Sequence, residues 1–367
     1  MSRPDLAVVG GGVIGLATAW RAARRGLRTV VLEAGEPGRG ATHVAAGMLA
    51  PVGEAEHGEN ALLRLGLRSL DAWPAFAAEL EETGIDPGFR RSGSLAVAVS
   101  GDEDAALRRR AAFLATLGLE AELLPPSACR ELEPRLAPRL RLGLLASGDA
   151  QADPRAVTLA LMAACRHAGV EIRHGTHIRS LGEVDAGRVV VAAGVGTPGL
   201  EGLDPALASA LRPVKGQILQ LRGPRPLVRH AIRLPTVYLV PRDDGRLVVG
   251  ATVEERVDTT VTAGAVLELL RRAAEAVPDV AELELAESAA ALRPGTRDNA
   301  PVLGELAPGG PIAAFGHYRN GILLAPATAE AVAAIAAGDP SPAWIEPFTP
   351  ARFTAVDPRA HVDLAQR

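Results

Sequence analysis

The chain is short of several residue types, and each shortage closes off a class of function. Its 367 residues include one lysine, Lys215, so Schiff-base chemistry or a phosphate loop would have to use that position, and no Walker sequence surrounds it. The two cysteines, Cys129 and Cys165, stand far apart and outside any CxxC pair, which argues against a disulfide framework or a zinc site. Eight histidines show no metal-ligand spacing, and no Ser-His-Asp grouping emerges, so no metal is expected. No basic block stands out: acidic residues outnumber basic ones 43 to 39, which gives no reason to expect nucleic acid as a partner. Long apolar runs are also missing. The most apolar late segment, 321–338, is interrupted by Pro326 and Glu330 and reads as a buried helix rather than a membrane span. The first residues lack the apolar stretch of a signal peptide, so a cytoplasmic location without membrane attachment, and reduced thiols, are expected. What is plentiful is core material, since 48% hydrophobic content suffices for two domains or one elaborate one.

The patterning is α/β from the start. Leu6 to Val9 is a short apolar strand, the segment to Arg25 suits a helix closed by Gly26, and Thr29 to Glu33 reads as a second strand, a β-α-β unit of the usual size. Between the first strand and the helix lies Gly10-x-Gly12-x-x-Gly15. The first glycine permits a tight turn, the second lets backbone approach a pyrophosphate, and the third brings helix against strand, with the helix N-terminus facing the phosphates. Glu33 then falls where an acid can accept hydrogen bonds from a ribose diol. The motif specifies a Rossmann-type dinucleotide unit but does not separate NAD from FAD. Helices are expected at 62–82, 102–117 and 156–168, strands at 94–99, 170–172 and 188–194, and a surface connection at 125–138. Strand-like runs at 217–222, 237–241 and 246–251, with a turn at Asp243-Asp244-Gly245, suggest a separate antiparallel sheet.

The small residues Gly40-Ala41-Thr42-His43-Val44-Ala45-Ala46-Gly47-Met48 would let backbone lie against a flat ring system, and here the chain resembles the D-amino-acid-oxidase-like FAD oxidoreductases. Within that superfamily, Gly250-Ala251-Thr252, the run from Leu292 to Asp298 and the run from Gly316 to Pro326 resemble the glycine oxidases of thiamine biosynthesis. The resemblance extends to about Trp344. It implies non-covalent FAD, held at Gly10, Gly12, Val13, Ile14, Gly15, Glu33, Ala34, Ala41, Thr42, Ala46, Gly47, Met48 and Ile178, with His317, Tyr318, Arg319, Asn320, Gly321, Ile322 and Leu323 along the isoalloxazine. Substrate would be held by Arg293, Tyr238 and Arg319. A guanidinium binds a carboxylate bidentately and a phenol adds a further hydrogen bond, so these residue types suit an α-carboxylate independently of the family.

The implied fold is a Rossmann-type FAD-binding domain over 1–88, 146–212 and 291–345. A substrate domain with a mostly antiparallel sheet would occupy 89–145 and 213–290, and a tail 346–367. The implied activity is oxidative deamination of glycine, sarcosine or small D-amino acids to the 2-oxo acid, ammonia or amine and hydrogen peroxide, with oxygen as acceptor, by a homo-oligomer of up to four chains. A dehydrogenase of D-amino acids or sarcosine with another acceptor and a non-catalytic flavin subunit of a hetero-oligomer are the alternatives. Retention of Tyr238, Arg293 and Arg319 together argues against the second. Lys215 reads as a buried, paired structural residue, and His317 as structural or flavin-adjacent rather than a base. Gly196, Thr236 and Val253 depart from the family pattern, where Trp, His and Met are common, and leave the substrate size open.

Overall fold

The computed structural model describes residues 3–354. The chain opens with strand β1 (Leu6–Val9), helix α1 (Val13–Arg24) and strand β2 (Thr29–Leu32), and β1 pairs in parallel with β2 from Leu6↔Thr29 to Val9↔Leu32. Both strands are buried along their whole length, as an interior parallel strand must be when its sheet is covered on both faces. The sheet has six strands in the order Val302–Glu305, Ile312–Phe315, Arg188–Val191, β1, β2, Glu171–Arg173, all parallel except the first pair. Helix α1 packs against the helices Pro154–His167 and Gly321–Ala336, and Gly321–Ala336 also packs on Asn60–Glu81. Trp73, Phe76, Leu16, Leu161 and Leu324 are almost fully buried in this core, each large side chain contributing roughly 1.5–3 kcal/mol of hydrophobic stabilisation.

The helix Gly321–Ala336 carries Pro326 in its interior and is buried over nearly all of its length. Proline has no N–H and its ring pushes on the preceding turn, so backbone groups are freed where no water can reach them. Residues of the neighbouring helix satisfy them. Ser69 Oγ and Trp73 Nε1 donate to the Leu323 carbonyl at 2.7 and 2.9 Å, and Ser69 Oγ accepts from Ala327 N–H at 3.3 Å. Among the described residues no helix is long and apolar enough to cross a membrane.

The second sheet has eight strands in the order Glu284–Thr296, Leu211–Arg222, Arg246–Gly250, Tyr238–Pro241, Ala231–Arg233, Ser94–Ala98, Leu142–Ala146, Glu122–Leu124. Every pairing is antiparallel except that of Ala231–Arg233 with Ser94–Ala98. Helix Ala263–Ala276 lays Leu269, Ala273 and Ala276 on Leu219, Leu239 and Val249 to make its core. Two expectations need correction. The stretch 125–138 holds a helix, Pro126–Leu132, begun by a proline whose missing N–H costs nothing in the first turn; Cys129, Leu136 and Ala137 are buried, so it is not merely a surface connection. The strand expected at 217–222 begins at Leu211, and its partner Glu284–Thr296 carries too few β-branched residues to announce itself. These two long strands run across 212/213 and 290/291, where the cofactor and substrate units were expected to meet. Of the expected tail 346–367, the part up to 354 is described and holds the buried Phe348 and a short helix Ala351–Thr354, and the rest lies outside the described residues.

Candidate active site

The carboxyl ends of β1 and β2, the N-terminus of α1 and one face of the eight-stranded sheet enclose a single cleft of about 720 Å3. Its long end is built on the glycines. Gly10 has φ +108°, which L side chains avoid, and a Cβ there would collide with the Ala192 carbonyl; a Cβ on Gly15 would strike the Gly10 carbonyl. Both are therefore required for helix and strand to meet. Gly12 differs: the nearest atom to a Cβ there is Thr42 Oγ1 at 3.5 Å, so its backbone lies open to the cleft. It is the N-cap of α1 and supplies no side-chain cap, while Val13 N–H donates to Thr42 Oγ1 at 3.2 Å. The positive end of the helix is left facing the cleft, as an anionic pyrophosphate requires. Glu33 accepts from Gly11 N–H at 2.6 Å and from Gly35 N–H at 2.8 Å, which fixes its carboxylate on the wall with further lone pairs to offer.

The small-residue segment after β2 forms the adjoining wall through Ala41, Thr42, Ala45, Ala46, Gly47 and Met48. Gly47, at φ +77°, leaves no room for a Cβ against the Ala152 carbonyl. Arg242, buried at 7% exposure, donates to the Ala46 carbonyl and to Gln151 Oε1 and lies near Asp153, which is itself held by Arg246 at 2.7 Å. Burial lowers the Arg242 guanidinium to about 10, still charged at neutral pH. Sequence reasoning missed this pin, because an arginine at the end of a strand gives no sign that its partners lie 91 and 196 residues earlier, at Gln151 and Ala46.

At the other end the second sheet presents Tyr238 and Arg293. Strand register sets Tyr238 opposite Gly250, and a Cβ on Gly250 would lie 2.7 Å from the tyrosine ring. A Cβ on Gly216 would overlap the Arg293 guanidinium, so this glycine lets the arginine lie flat across its strand. Arg293 Nη1 donates to the carbonyls of Lys215 at 3.3 Å and Thr252 at 3.1 Å, which leaves other N–H groups to the cleft. Burial pushes the Tyr238 hydroxyl up, Arg293 beside it pulls it down, and the charge of Glu54 pushes it up again. Neither glycine was singled out from sequence for its contact with a side chain; their signal was only the absence of one in a strand. Lys215 is fully buried, with Nζ 2.8 Å from Asp258 and 3.9 Å from Glu254, as the sequence suggested.

His317 and its neighbours close the floor. His317 is 3% exposed, and its Nε2 lies 3.0 Å from Thr328 Oγ1. Burial pulls its imidazole down to about 3, so it is neutral at physiological pH. Arg319 is exposed, donates to the Glu54 carbonyl at 3.4 Å and lies 3.8 Å from Glu59. Tyr318, Gly321 and Ile322 also line the cleft, whereas Gly15, Ala34, Ile178, Asn320 and Leu323 stand off its wall. Ile178 packs in the core beside Val9 and Leu181, and Leu323 is held by Ser69 and Trp73. Of the departures from the family pattern, Thr236 and Val253 are on the wall and exposed, and Gly196 is not on it. An uncapped helix N-terminus, a placed acid and a wall of small residues in one continuous cleft fit FAD, with Gly10 to Ile14, Glu33, Thr42 and Ala46 to Met48 as the groups that would hold it.

Comparison with known proteins agrees with this geometry. The family model DAO, FAD dependent oxidoreductase, matches residues 5–335. A glycine oxidase of Geobacillus kaustophilus is 36% identical over 349 residues, covering 90% of this chain and 92% of that protein. A putative thiamine biosynthesis oxidoreductase ThiO of Rhizobium etli is 35% identical over 335 residues, covering 89% and 94%. The crystal structure of glycine oxidase from Geobacillus kaustophilus matches with a TM-score of 0.88 at 35% identity, over 95% of this chain and 98% of that one.

Proposed function

The chain belongs to the DAO family of FAD-dependent oxidoreductases, and from that premise we propose that it oxidatively deaminates glycine or a similarly small amine, sarcosine or a small D-amino acid, in the service of thiamine biosynthesis. The observation that carries this reading is the guanidinium of Arg293, laid across Gly216 and next to Tyr238, in the same cleft as the uncapped helix N-terminus. The net change would convert glycine, oxygen and water to glyoxylate, ammonia and hydrogen peroxide. Oxygen as the acceptor, a homo-oligomer of up to four chains and a cytoplasmic location belong to the same reading.

FAD, when bound, supplies the two-electron acceptor that none of the side chains can provide. The protein's share is orientation. Arg293 has two backbone carbonyls fixing one nitrogen and offers the rest of its fork to the substrate carboxylate, with the Tyr238 hydroxyl as an additional donor. Docking the carboxylate there turns Cα toward the floor at His317 to Ile322, which aligns the reacting bond before the chemistry begins. The neutral, hydrogen-bonded His317 adds no charge of its own to that floor. Arg319, at the exposed edge, is the second guanidinium available to the carboxylate.

The test is an anaerobic absorbance titration of the purified protein with glycine, sarcosine and D-alanine, followed by admission of air and a peroxide assay. Bleaching of the flavin with stoichiometric peroxide afterwards is the expected result. Bleaching without peroxide would transfer the reading to a dehydrogenase, and an unbleached flavin with all three amines would end it.

A further inference from the structure

An amino acid carries a cationic amine as well as a carboxylate, and the groups that dock the carboxylate do nothing for the amine. Four acids lie on the cleft wall. Glu33 is tied to two backbone N–H groups at the helix end, and Glu36 follows it at that same end. Glu268, on the helix beyond Thr236, is exposed and held bidentately by Arg271 at 3.0 and 2.8 Å. Glu54 alone stands near Tyr238, close enough for its charge to act on the phenol. Among the described residues its carboxylate forms one ion pair, with Arg233 at 3.1 Å, and Arg110 is near enough to feel its charge, yet Arg233 Nη1 is buried without a hydrogen bond, so the paired groups are close but out of line. The Glu54 carboxylate therefore keeps hydrogen-bonding capacity for a third group in the cleft, while the buried Arg233 Nη1 is out of a ligand's reach.

The backbone under Glu54 is fixed with unusual care. Asp149, fully buried, accepts from Val52 N–H at 3.2 Å and Gly53 N–H at 2.9 Å and from Ser94 Oγ at 2.5 Å. Arg110 donates to the Gly53 carbonyl at 2.5 Å, and Arg319 to that of Glu54. A Cβ on Gly53 would lie 2.5 Å from Asp149 Oδ2 and 2.6 Å from Ser94 Oγ, so no other residue fits ahead of Glu54. Burying a carboxylate to hold a loop is costly unless it is well bonded, and this one is. The result is a preorganised acid at the wall.

We propose that Glu54 is a substrate-binding residue that receives the amine of the substrate and so selects amino acids over the matching hydroxy acids, with Arg233 turning its carboxylate and Asp149 acting as the positioning residue beneath it. The inference rests on the reading of Arg293 and Tyr238 as the carboxylate dock. A carboxylate accepting from an ammonium makes a charge-assisted hydrogen bond, whereas a hydroxyl in the same place gains much less from the charge.

The test compares glycine with glycolate on FAD-loaded wild type and Glu54→Gln. Glycine is followed by flavin bleaching or, if the flavin stays oxidised, by perturbation of its spectrum; glycolate is followed by spectral perturbation. Glu54→Gln is expected to weaken glycine about ten- to hundredfold while glycolate stays within about twofold, the loss of a charge-assisted bond falling on the amine alone. Equal weakening of both ligands, or no change in either, overturns the proposal. If Glu54→Gln does not load flavin, Glu54→Asp, which keeps the charge but withdraws it by one methylene, is read with the same ligands and the same criteria. A wild type that no amine bleaches would end the proposed activity without touching this comparison, because both affinities can be measured on oxidised flavin.

Discussion

At the scale of single residues, glycines decide where the charged groups can lie. Gly216 has ordinary strand geometry, so only the space it leaves explains it: a methyl group there would occupy the position of the Arg293 guanidinium. Gly216→Ala should therefore fold, since alanine is tolerated in a strand, but displace the arginine. We expect KM for glycine to rise by about tenfold or more with a smaller effect on kcat, the pattern of lost ground-state docking; steady-state peroxide rates check this, and an unchanged KM would contradict the geometry. His317 bears on pH. Burial lowers its folded pKa from 6.5 to about 3, so its neutral form supports the native state fully above 6.5, and that support is lost as pH falls from 6.5 toward 3. Replacing it by His317→Asn should flatten the acid limb of the stability curve over that window, by up to on the order of 4 kcal/mol. Urea unfolding at several pH values gives the comparison, and parallel curves for the two proteins would count against it.

At the scale of elements, the helix Gly321–Ala336 shows how a local fault is repaired from outside. Ser69 serves both the Leu323 carbonyl and the Ala327 N–H beside Pro326. Ser69→Ala removes both bonds in a buried place and should cost about 1–3 kcal/mol, read as a lower denaturant midpoint with unchanged slope. A midpoint like that of wild type would mean the helix heals itself. The same element shows what sequence can and cannot tell. Its burial was legible from the apolar run at 321–338, and β1, α1 and β2 from their glycine punctuation, because these signals are local. The strand Glu284–Thr296 was not legible: residues such as Ala286, Ser288, Ala289 and Ala290 have no strand preference, and only pairing with Leu211–Arg222 fixes them. That Arg293 and Tyr238 share one cleft was expected from resemblance, whereas Gly216, Arg242 and Glu54 owe their places to partners remote in sequence. The mount of Glu54 shows this, because Asp149 lies 96 residues from Gly53.

At the scale of the whole molecule, the cofactor's cleft draws on both sheets, from Gly10 at the end of β1 to Arg293 on the far strand. A ligand that binds only the folded chain stabilises it by mass action, by about 2.7 kcal/mol when its free concentration is a hundred times its dissociation constant. Flavin-stripped protein should accordingly melt several degrees below the holoprotein and recover on reloading with FAD; equal melting midpoints would mean that the cleft contributes nothing to binding. The two long strands Leu211–Arg222 and Glu284–Thr296 have a mechanical meaning as well. They pair over twelve positions, from Leu211↔Thr296 to Arg222↔Glu284, and Arg293 is carried on this ribbon rather than on a loop beside it. A paired ribbon of that length, irregular only at Gln220/Leu221, fixes the bearing of Arg293 on the glycine-rich turn by backbone hydrogen bonds rather than by a loop. Pro235 and Val253, by contrast, stand exposed on the same wall, outside any regular strand.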